Sequence, residues 1–507
     1  MVILKNKKTV LLGAAIIFIV FLHAWSLLRY PGINVDEAWL ISRAWAFNQT
    51  GHQFGALDSG LFDSYPYHWI VNQWLITFLQ GMFLRLSVVP SLWPVRLMSL
   101  ATGFGLLGCN YAIGYKLAGF PLAWGSTLLL AFSRAFFYSA HMARYDILAV
   151  FFGYAALVLV IAGAKEKLWI GLLAGIVLGL AVETHLNSLI FIPAVGILYF
   201  IDFGWQFIAK PGFWGYLLGL GVGALYYLLL HVFPNPGIYA GINSLVFGKA
   251  YTAPLLTFDM VKIMSGFGDS GMLLLVAGFS LVPLGLIQIY PILKTKSKQE
   301  IIILGINLVL FGGMSLIFPK KNAQYAIYLA PAFFWLVALF LIDFVKRPWI
   351  RKIWNYFYLA LVWGAILGAL LSISMQLIPN NYQDYLDIQA QVKPFINQDD
   401  TIMGNQWYWL GLYDHKYYSW ELLFLYPRIN PGKTLQDAFN YYRPTVLIID
   451  QPLDDLIVDN VDPNSIWYSY HLSKVEMDLY LNQHGRLSGS IPGGIFGKVR
   501  VYRFNWQ

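Results

Sequence analysis

Long apolar runs recur along most of the chain and constrain its fold more than any other feature. Each holds about 20 residues, enough to cross roughly 30 Å of hydrocarbon as a helix. Of the 507 residues, 58% are hydrophobic and 12% charged, whereas soluble domains average about 25% charged. The sequence therefore predicts a polytopic α-helical membrane protein of about eleven transmembrane helices. They are expected near residues 10–28, 95–116, 120–139, 147–162, 168–182, 188–203, 213–232, 271–290, 301–318, 325–344 and 353–377.

The positions of lysine and arginine predict the orientation, because basic residues favour the cytoplasmic side of short loops. Lys5, Lys7 and Lys8 precede the first run and place the N-terminus inside. The stretch Trp69–Leu86 is apolar, but polar residues such as Gln80 interrupt it. If it crossed the membrane, every later basic cluster would face outward. We therefore predict an amphipathic helix in the outer interface, which leaves the C-terminus outside.

This threading predicts two domains. Residues 1–378 form a transmembrane domain that includes a long first outer loop, 29–94, with interfacial helices. Residues 379–507 are rich in Asn, Gln, Asp and Tyr, with a helix-like Thr434–Tyr442 and strand-like Thr445–Asp450 and Lys498–Phe504. Such alternation predicts a small soluble α/β domain on the non-cytoplasmic side.

Two adjacent acids, Asp36 and Glu37, follow the outer end of the first span. They are candidates for catalysis, but they also suit the cap and first turn of a helix starting at Ala38. Neighbouring residues point in different directions, so we expect at most one carboxylate to face a reacting atom. The other carboxylate would position the first one or make a contact elsewhere.

Further ionisable residues lie at predicted outer turns. Arg144 and Asp146 stand between the third and fourth spans, and Glu183 and His185 between the fifth and sixth. A solvated ion pair or a satisfied polar turn would explain them without function. However, an ionisable residue packed among membrane helices is by default a functional candidate.

Basic residues on the outer face are the last group. Lys320 and Lys321 occupy a short loop predicted outside, against the positive-inside pattern. Snorkelling to headgroups is one explanation, and binding of a lipid-linked phosphate is the other. The basic residues of the whole chain are split among short loops, so no nucleic-acid partner is expected.

These parts suit transfer of a sugar from a polyprenyl phosphate. The leaving group is a phosphate monoester, a stable anion that needs cations rather than a general acid. The acceptor hydroxyl needs one carboxylate base. Glycoside hydrolysis, by contrast, usually needs a pair of carboxyl groups. One acid together with Arg and Lys on the outer side is therefore sufficient for this sugar transfer.

The order of these motifs resembles that of a known family. An acidic pair follows the first span, an arginine (Arg96) opens the next, and Asp146 follows in the second outer loop. A lysine, Lys320, precedes a late Tyr–Pro stretch. Together they look like the polyprenyl-phosphate-dependent integral membrane glycosyltransferases of the GT-C fold, in the branch of protein O-mannosyltransferases and aminoarabinose transferases.

The resemblance implies roles for these residues. Asp36 would be the general base of an inverting transfer, supported by Glu37 and Asp146. The candidate contacts to the donor phosphate are Arg96, Arg144, Lys320 and Tyr325, with His185 and Glu183 in support. The family implies a polyprenyl-phosphate sugar donor, transfer of a hexosyl or pentosyl group, and a lipid, glycan or protein hydroxyl as acceptor. It further implies contact with membrane lipid and an active site facing the periplasm or exterior of a bacterial cytoplasmic membrane.

Two alternatives stay open at this point. Asp36 and Asp146 could hold Mg²⁺ or Mn²⁺ together with the lipid phosphate, because carboxylates are the ligands these ions prefer. A lipid or sugar transporter, or a flippase, is the rival function. Transporters often show internal repeats and broken helices at mid-membrane; this sequence shows no repeat between its halves, and its acids gather at one face.

Overall fold

The computed structural model describes most of the chain in two units. The described residues are 2–60, 73–163, 165–240, 285–295, 297–317, 323–346, 380–459, 471–492 and 494–506, with isolated positions between 356 and 378. The helical unit comprises Met1–Pro31, Arg96–Leu229 and Ala253–Pro379. The mixed unit comprises Gly32–Val95, Leu230–Thr252 and Asn380–Gln507. Contacts thus assign the first outer loop to the mixed unit, whereas the sequence analysis placed it with the transmembrane domain.

The helices follow one another as follows: α1 Val2–Ser26, α2 Val35–Thr50, α3 Trp74–Leu84, α4 Leu92–Ala131, α5 Arg134–Ala140, α6 Tyr145–Ala162, α7 Leu168–Thr184, α8 Phe191–Phe203, α9 Pro211–Tyr227, α10 Ile289–Thr295, α11 Lys298–Ile317, α12 Ala326–Lys346, α13 Asn381–Val392, α14 Glu421–Ile429, α15 Leu435–Tyr442, α16 Gln451–Asp454 and α17 Lys474–His484. Within the described residues, six helical stretches are long and apolar enough to cross a membrane. Their number and composition support the predicted polytopic membrane fold.

The long helix α4 contains the turn predicted between two spans. Ala118 and Gly119 have non-helical backbone angles, so the 40 residues form two helices. Gly119 adopts a φ of 76°, which a residue without a Cβ reaches at little cost. The expected continuous span over 120–139 is wrong, however. The helix ends at Ala131, and the Ser133 hydroxyl accepts a bond from Phe136 N and caps a new helix, α5.

Glycines bring α7 and α9 into backbone contact. Gly171, Gly175 and Gly179 recur every fourth residue and so line one face of α7. A Cβ on Gly179 would lie 2.6 Å from the Cα of Gly223. Close approach through small residues is a common way for membrane helices to pack, because lipid offers no hydrophobic drive between them.

A five-stranded sheet forms the centre of the mixed unit. The strands are β1 Thr401–Gly404, β2 Lys416–Ser419, β3 Val446–Ile449, β4 Ile457–Val458, β5 Leu472–Ser473, β6 Gly485–Ile491 and β7 Val499–Phe504. The order in the sheet is β2-β1-β3-β7-β6, while β4 and β5 pair separately. β1 pairs in parallel with β2 and β3, and β7 is antiparallel to β3 and β6. The predicted helix at 434–442 and strands at 445–450 and 498–504 correspond to α15, β3 and β7.

The first outer loop shares the core of this unit. Trp39 and Phe54 pack against a cluster that includes Phe439 and Leu447, both fully buried. The Tyr442 hydroxyl also donates a hydrogen bond of 3.2 Å to Gly60 O. Helix α2, which carries Asp36, is therefore supported by the C-terminal residues of the chain.

Helix α3 lies within the stretch predicted to be interfacial. Its 11 residues span about 16 Å at 1.5 Å per residue, roughly half the hydrocarbon thickness. It packs on α2, where the Asn48 side chain donates a 2.7 Å hydrogen bond to Gly81 O. Its length supports the interfacial interpretation, which stays a prediction.

Several predicted features lie outside the described residues. They include Lys320 and Lys321, most of the span expected at 271–290, and nearly all of that expected at 353–377.

Candidate active site

The helical unit buries the predicted ion pair at the start of α6. Arg144 and Asp146 are 4% and 3% exposed, and Arg144 Nε donates a 2.9 Å hydrogen bond to Asp146 Oδ2. Arg144 is the N-cap residue and Asp146 lies in the first turn, where the helix dipole favours a carboxylate. The pair is therefore not the solvated surface pair that was the alternative explanation.

Aromatic side chains surround this pair. The Arg144 guanidinium lies 5.0 Å from the centre of the Tyr145 ring and donates to the Tyr145 hydroxyl at 3.2 Å. His185 stacks on Tyr145 with ring centres 4.2 Å apart. The Tyr145 ring thus connects two residues predicted from distant turns, Arg144 and His185.

Two further tyrosines lie near the start of α12, and the rings of Tyr325 and Tyr328 are 6.3 Å apart. The structure groups three predicted residues, Arg144, Asp146 and His185, around Tyr145. Sequence reasoning did not select Tyr145, although it lies between two residues that were chosen. The predicted phosphate contact of Tyr325 stays a prediction.

Glu183 occupies the last turn of α7 and is 1% exposed. An acid at this end opposes the helix dipole, so its position is costly unless other contacts compensate. Its predicted supporting role stays a prediction.

Arg96 has a clear structural task. It is fully buried, and its Nη1 donates to Leu27 O at 3.2 Å and to Pro31 O at 2.9 Å. His141 Nδ1 lies 3.0 Å from Tyr30 O. Both residues therefore hold the turn that precedes the segment carrying Asp36. These hydrogen bonds give Arg96 a structural role. Its contact with the donor phosphate stays a prediction.

The mixed unit distinguishes the two adjacent acids. Glu37 is fully buried, and its Oε2 accepts a 3.0 Å hydrogen bond from Asn34 N. The Asn34 side chain in turn accepts from Asp36 N, so Asn34 and Glu37 form a capping box at the start of α2. The Glu37 carboxylate thus has the structural role expected for one of the two acids. Asp36 stays partly exposed in the first turn.

A second carboxylate of this unit, Asp58, was missed from the sequence. It is fully buried and accepts from the Trp39 indole at 2.6 Å and from Arg43 Nη2 at 2.7 Å. It also accepts from Gly55 N at 3.0 Å. Its oxygens are saturated by donors, which indicates a structural role in holding residues 55–58 against α2.

The metal alternative finds no ligand set within the described ranges. These residues include no group of three or more His, Cys, Asp or Glu side chains that could hold an ion. Binding of Mg²⁺ or Mn²⁺ by Asp36 and Asp146 together with a lipid phosphate stays a prediction.

No protein-family model and no curated protein matches the sequence, but solved structures do. The chain is similar to ArnT from Cupriavidus metallidurans bound to undecaprenyl phosphate, with 13% identity and a TM-score of 0.59, over 97% of this chain and 98% of that one. In the apo state of the same protein, identity is 14% and the TM-score 0.60, over 98% of each chain.

A third similar structure is the Archaeoglobus fulgidus oligosaccharyltransferase tethered to an acceptor peptide. Identity is 12% and the TM-score 0.52, over 96% of this chain and 74% of that one. The same enzyme has also been solved with Zn and sulfate. This chain therefore has the GT-C fold that the sequence motifs predicted.

Proposed function

We propose that this chain is a glycosyltransferase that moves a sugar from a polyprenyl-phosphate donor to a hydroxyl acceptor. The observation that carries the proposal is the full-length similarity to ArnT, which was solved with undecaprenyl phosphate bound. The oligosaccharyltransferase AglB was solved with a dolichol phosphate, so two similar folds accommodate lipid phosphates. Among the described residues, the buried Arg144–Asp146 pair supplies a cation of the kind that such a donor needs.

Asp36 is the general base in this proposal. A carboxylate that accepts the acceptor's hydroxyl proton must be accessible to substrate, and Asp36 is the less buried of the two acids. Glu37 holds the helix cap and therefore fixes the first turn of α2 on which Asp36 stands. Attack by the activated hydroxyl on the side opposite the phosphate gives inversion.

Arg144 and Lys320 stabilise the departing phosphate, with Arg96 and Tyr325 as further contacts. The phosphate leaves as an anion, so charge-assisted hydrogen bonds that tighten during departure lower the barrier. Asp146 fixes the guanidinium of Arg144 through Nε, and Tyr145 fixes it through the second amino group. A guanidinium held in this way loses little side-chain entropy when it binds phosphate.

The acceptor is a hydroxyl group of a lipid, a glycan or a protein, and the transferred group is a hexosyl or pentosyl unit. The site faces the outer side of a bacterial cytoplasmic membrane, with residues 380–507 on that side. This orientation follows from the sidedness of Lys and Arg along the sequence.

Release of polyprenyl phosphate from a sugar-charged donor tests the proposal. The full chain in lipid nanodiscs would be incubated with synthetic undecaprenyl-phosphate sugars of several kinds, with and without a membrane extract as acceptor source. Mass spectrometry should detect free undecaprenyl phosphate that increases with time and with acceptor. Folded protein that leaves every donor intact, but moves it between leaflets of a vesicle, would show a transporter instead.

A further inference from the structure

One buried hydroxyl connects the two helices that begin beside proposed phosphate contacts. Tyr154 lies in α6, eight residues after Asp146, which corresponds to about 12 Å along the helix. It is fully buried, and the transfer described above gives it no role. Its hydroxyl bonds to α12, the helix that directly follows Tyr325. Tyr154 therefore joins the helix of the Arg144–Asp146 pair to the helix that follows Tyr325.

The hydroxyl bonds to both sides of one turn of α12. It donates to Tyr328 O at 3.2 Å and accepts from Ala332 N at 3.2 Å. These two backbone groups are four residues apart, the separation that a helical hydrogen bond joins. A side chain that enters the backbone ladder at such a turn is one cause of helix bending. Tyr154 thus fixes the geometry of this turn as well as its position beside α6.

The same turn contains a proline and therefore lacks one backbone bond. Pro331 lies inside α12 and has no N–H to donate to Ile327 O. A side chain from α11 supports the turn, because Asn307 Nδ2 donates to Ala332 O at 2.9 Å. Side chains of neighbouring helices commonly compensate for a proline in this way in membrane proteins. The direction of the first residues of α12 therefore depends on bonds from α6 and α11.

Aromatic contacts extend from Tyr154 to the start of α12. The Tyr154 ring makes an edge contact with Phe191, with ring centres 5.4 Å apart. Phe191 stacks on Tyr328 at 6.2 Å, and the Tyr328 ring lies 6.3 Å from that of Tyr325. A close-packed interior transmits small displacements between such rings. A change at the Tyr154 hydroxyl should therefore move Tyr325.

We propose that Tyr154 is a positioning residue for the lipid donor. Its hydroxyl orients the first turns of α12 so that Tyr325 meets the phosphate that Arg144 binds. This inference rests on the proposed function, since Tyr325 and Arg144 are phosphate contacts only within it. Tyr154 itself touches neither the phosphate nor the sugar and acts through the turn that contains Pro331.

Binding of undecaprenyl phosphate to the full chain tests the inference without sugar transfer. Native mass spectrometry would compare wild type, Tyr154→Phe and Tyr199→Phe in nanodiscs that contain this lipid at increasing mole fractions. Tyr199→Phe is the matched control, because Tyr199 is also fully buried and its hydroxyl donates to Gly212 O at 3.2 Å. Both variants should lower the unfolding temperature. Only Tyr154→Phe should weaken lipid binding, by about tenfold, as expected when one hydrogen bond to a charged group is lost.

A second variant, Asn307→Ala, removes the other side-chain bond to this turn and should weaken lipid binding in the same direction. Weaker binding by Tyr154→Phe but not by Tyr199→Phe supports the inference. Unchanged binding by Tyr154→Phe, or equal weakening by Tyr199→Phe, overturns it. Where Tyr154→Phe does not fold, the result for Asn307→Ala decides in the same way.

Failure of the inference differs from failure of the proposed function. If the wild type itself binds no undecaprenyl phosphate, the proposed donor is wrong and the role of Tyr154 is overturned with it. If the wild type and Tyr154→Phe bind the lipid equally well, only the role of Tyr154 is overturned.

Discussion

The helical and mixed units bury their polar groups in different ways. In the helical unit, Arg144 and Asp146 form a buried ion pair at the start of a membrane helix. In the mixed unit, Asp58 and Asp450 are buried acids whose oxygens accept several hydrogen bonds each. For the buried pair in the helical unit we propose a functional role, whereas the hydrogen bonds to Asp58 and Asp450 in the mixed unit indicate a structural one. Asp36 differs from these buried acids of the mixed unit because it is partly exposed.

The largest expected effect comes from the two neighbouring acids. Asp36→Asn keeps the size of the side chain but removes the base, so transfer should fall about 10²–10⁴-fold while donor still binds. Glu37→Gln should retain most of the transfer rate and lose stability instead, because it weakens the cap of α2. Rates of sugar transfer and thermal unfolding of both variants would be compared. If Glu37→Gln lost transfer activity and Asp36→Asn kept the wild-type rate, Glu37 rather than Asp36 would be the general base.

A smaller effect is expected at the contact between α7 and α9. A methyl group on Gly175 would approach Leu220 N to 2.6 Å, so the helices must separate. Gly175→Ala should destabilise the helical unit by about 1–3 kcal/mol, as overpacking usually does. Gly221→Ala is the matched control, since nothing lies within 4 Å of a Cβ there. Equal unfolding temperatures for the two variants would show that the glycine contact is not tight.

The smallest effect is a dependence of stability on pH in the mixed unit. Burial raises the pKa of Asp450 from 3.8 to about 6, although bonds from Leu453 N and Asn405 favour its charged form. The folded state therefore binds this proton more tightly than the unfolded state. Its contribution to the free energy of unfolding is fully present below about pH 4 and is lost as pH rises to about 6, on the order of 3 kcal/mol.

Asp450→Asn provides the control for that dependence. The variant cannot titrate at this position, so the difference in unfolding free energy between it and the wild type should change between pH 4 and pH 6. A constant difference across this range would show that the Asp450 pKa is not raised.

Local patterns in the sequence predicted much of this fold. Hydropathy located most spans, and Gly119 marked the turn within α4. The helix break at Ser133 was not predicted, because the residues around it are apolar enough to suggest one continuous span. The grouping of the first outer loop with residues 380–507 could not be predicted, since it depends on side chains such as Trp39 and Phe439 that are far apart in sequence. The five-stranded order likewise depends on long-range pairing of β3 with β7.

The sequence indicated which residue types belong to the candidate site. It did not indicate which of these residues have structural roles. Position beside a predicted span selected Asp36 and Arg144, and the family resemblance added Arg96. Only the structure shows that Glu37 holds a helix cap and that Arg96 binds two backbone carbonyl groups. A hydrogen-bond partner cannot be read from periodicity, so the alternative roles of adjacent acids stayed open in the sequence.

A structure of the full chain with undecaprenyl phosphate bound is the most direct test of the central claim. The proposal predicts the phosphate within hydrogen-bond distance of the Arg144 guanidinium, and the carboxylates of Asp36 and Asp146 within about 15 Å of each other, since one site needs its groups within reach of one substrate. A lipid phosphate bound away from Arg144, with Asp36 farther than about 15 Å from Asp146, would contradict it.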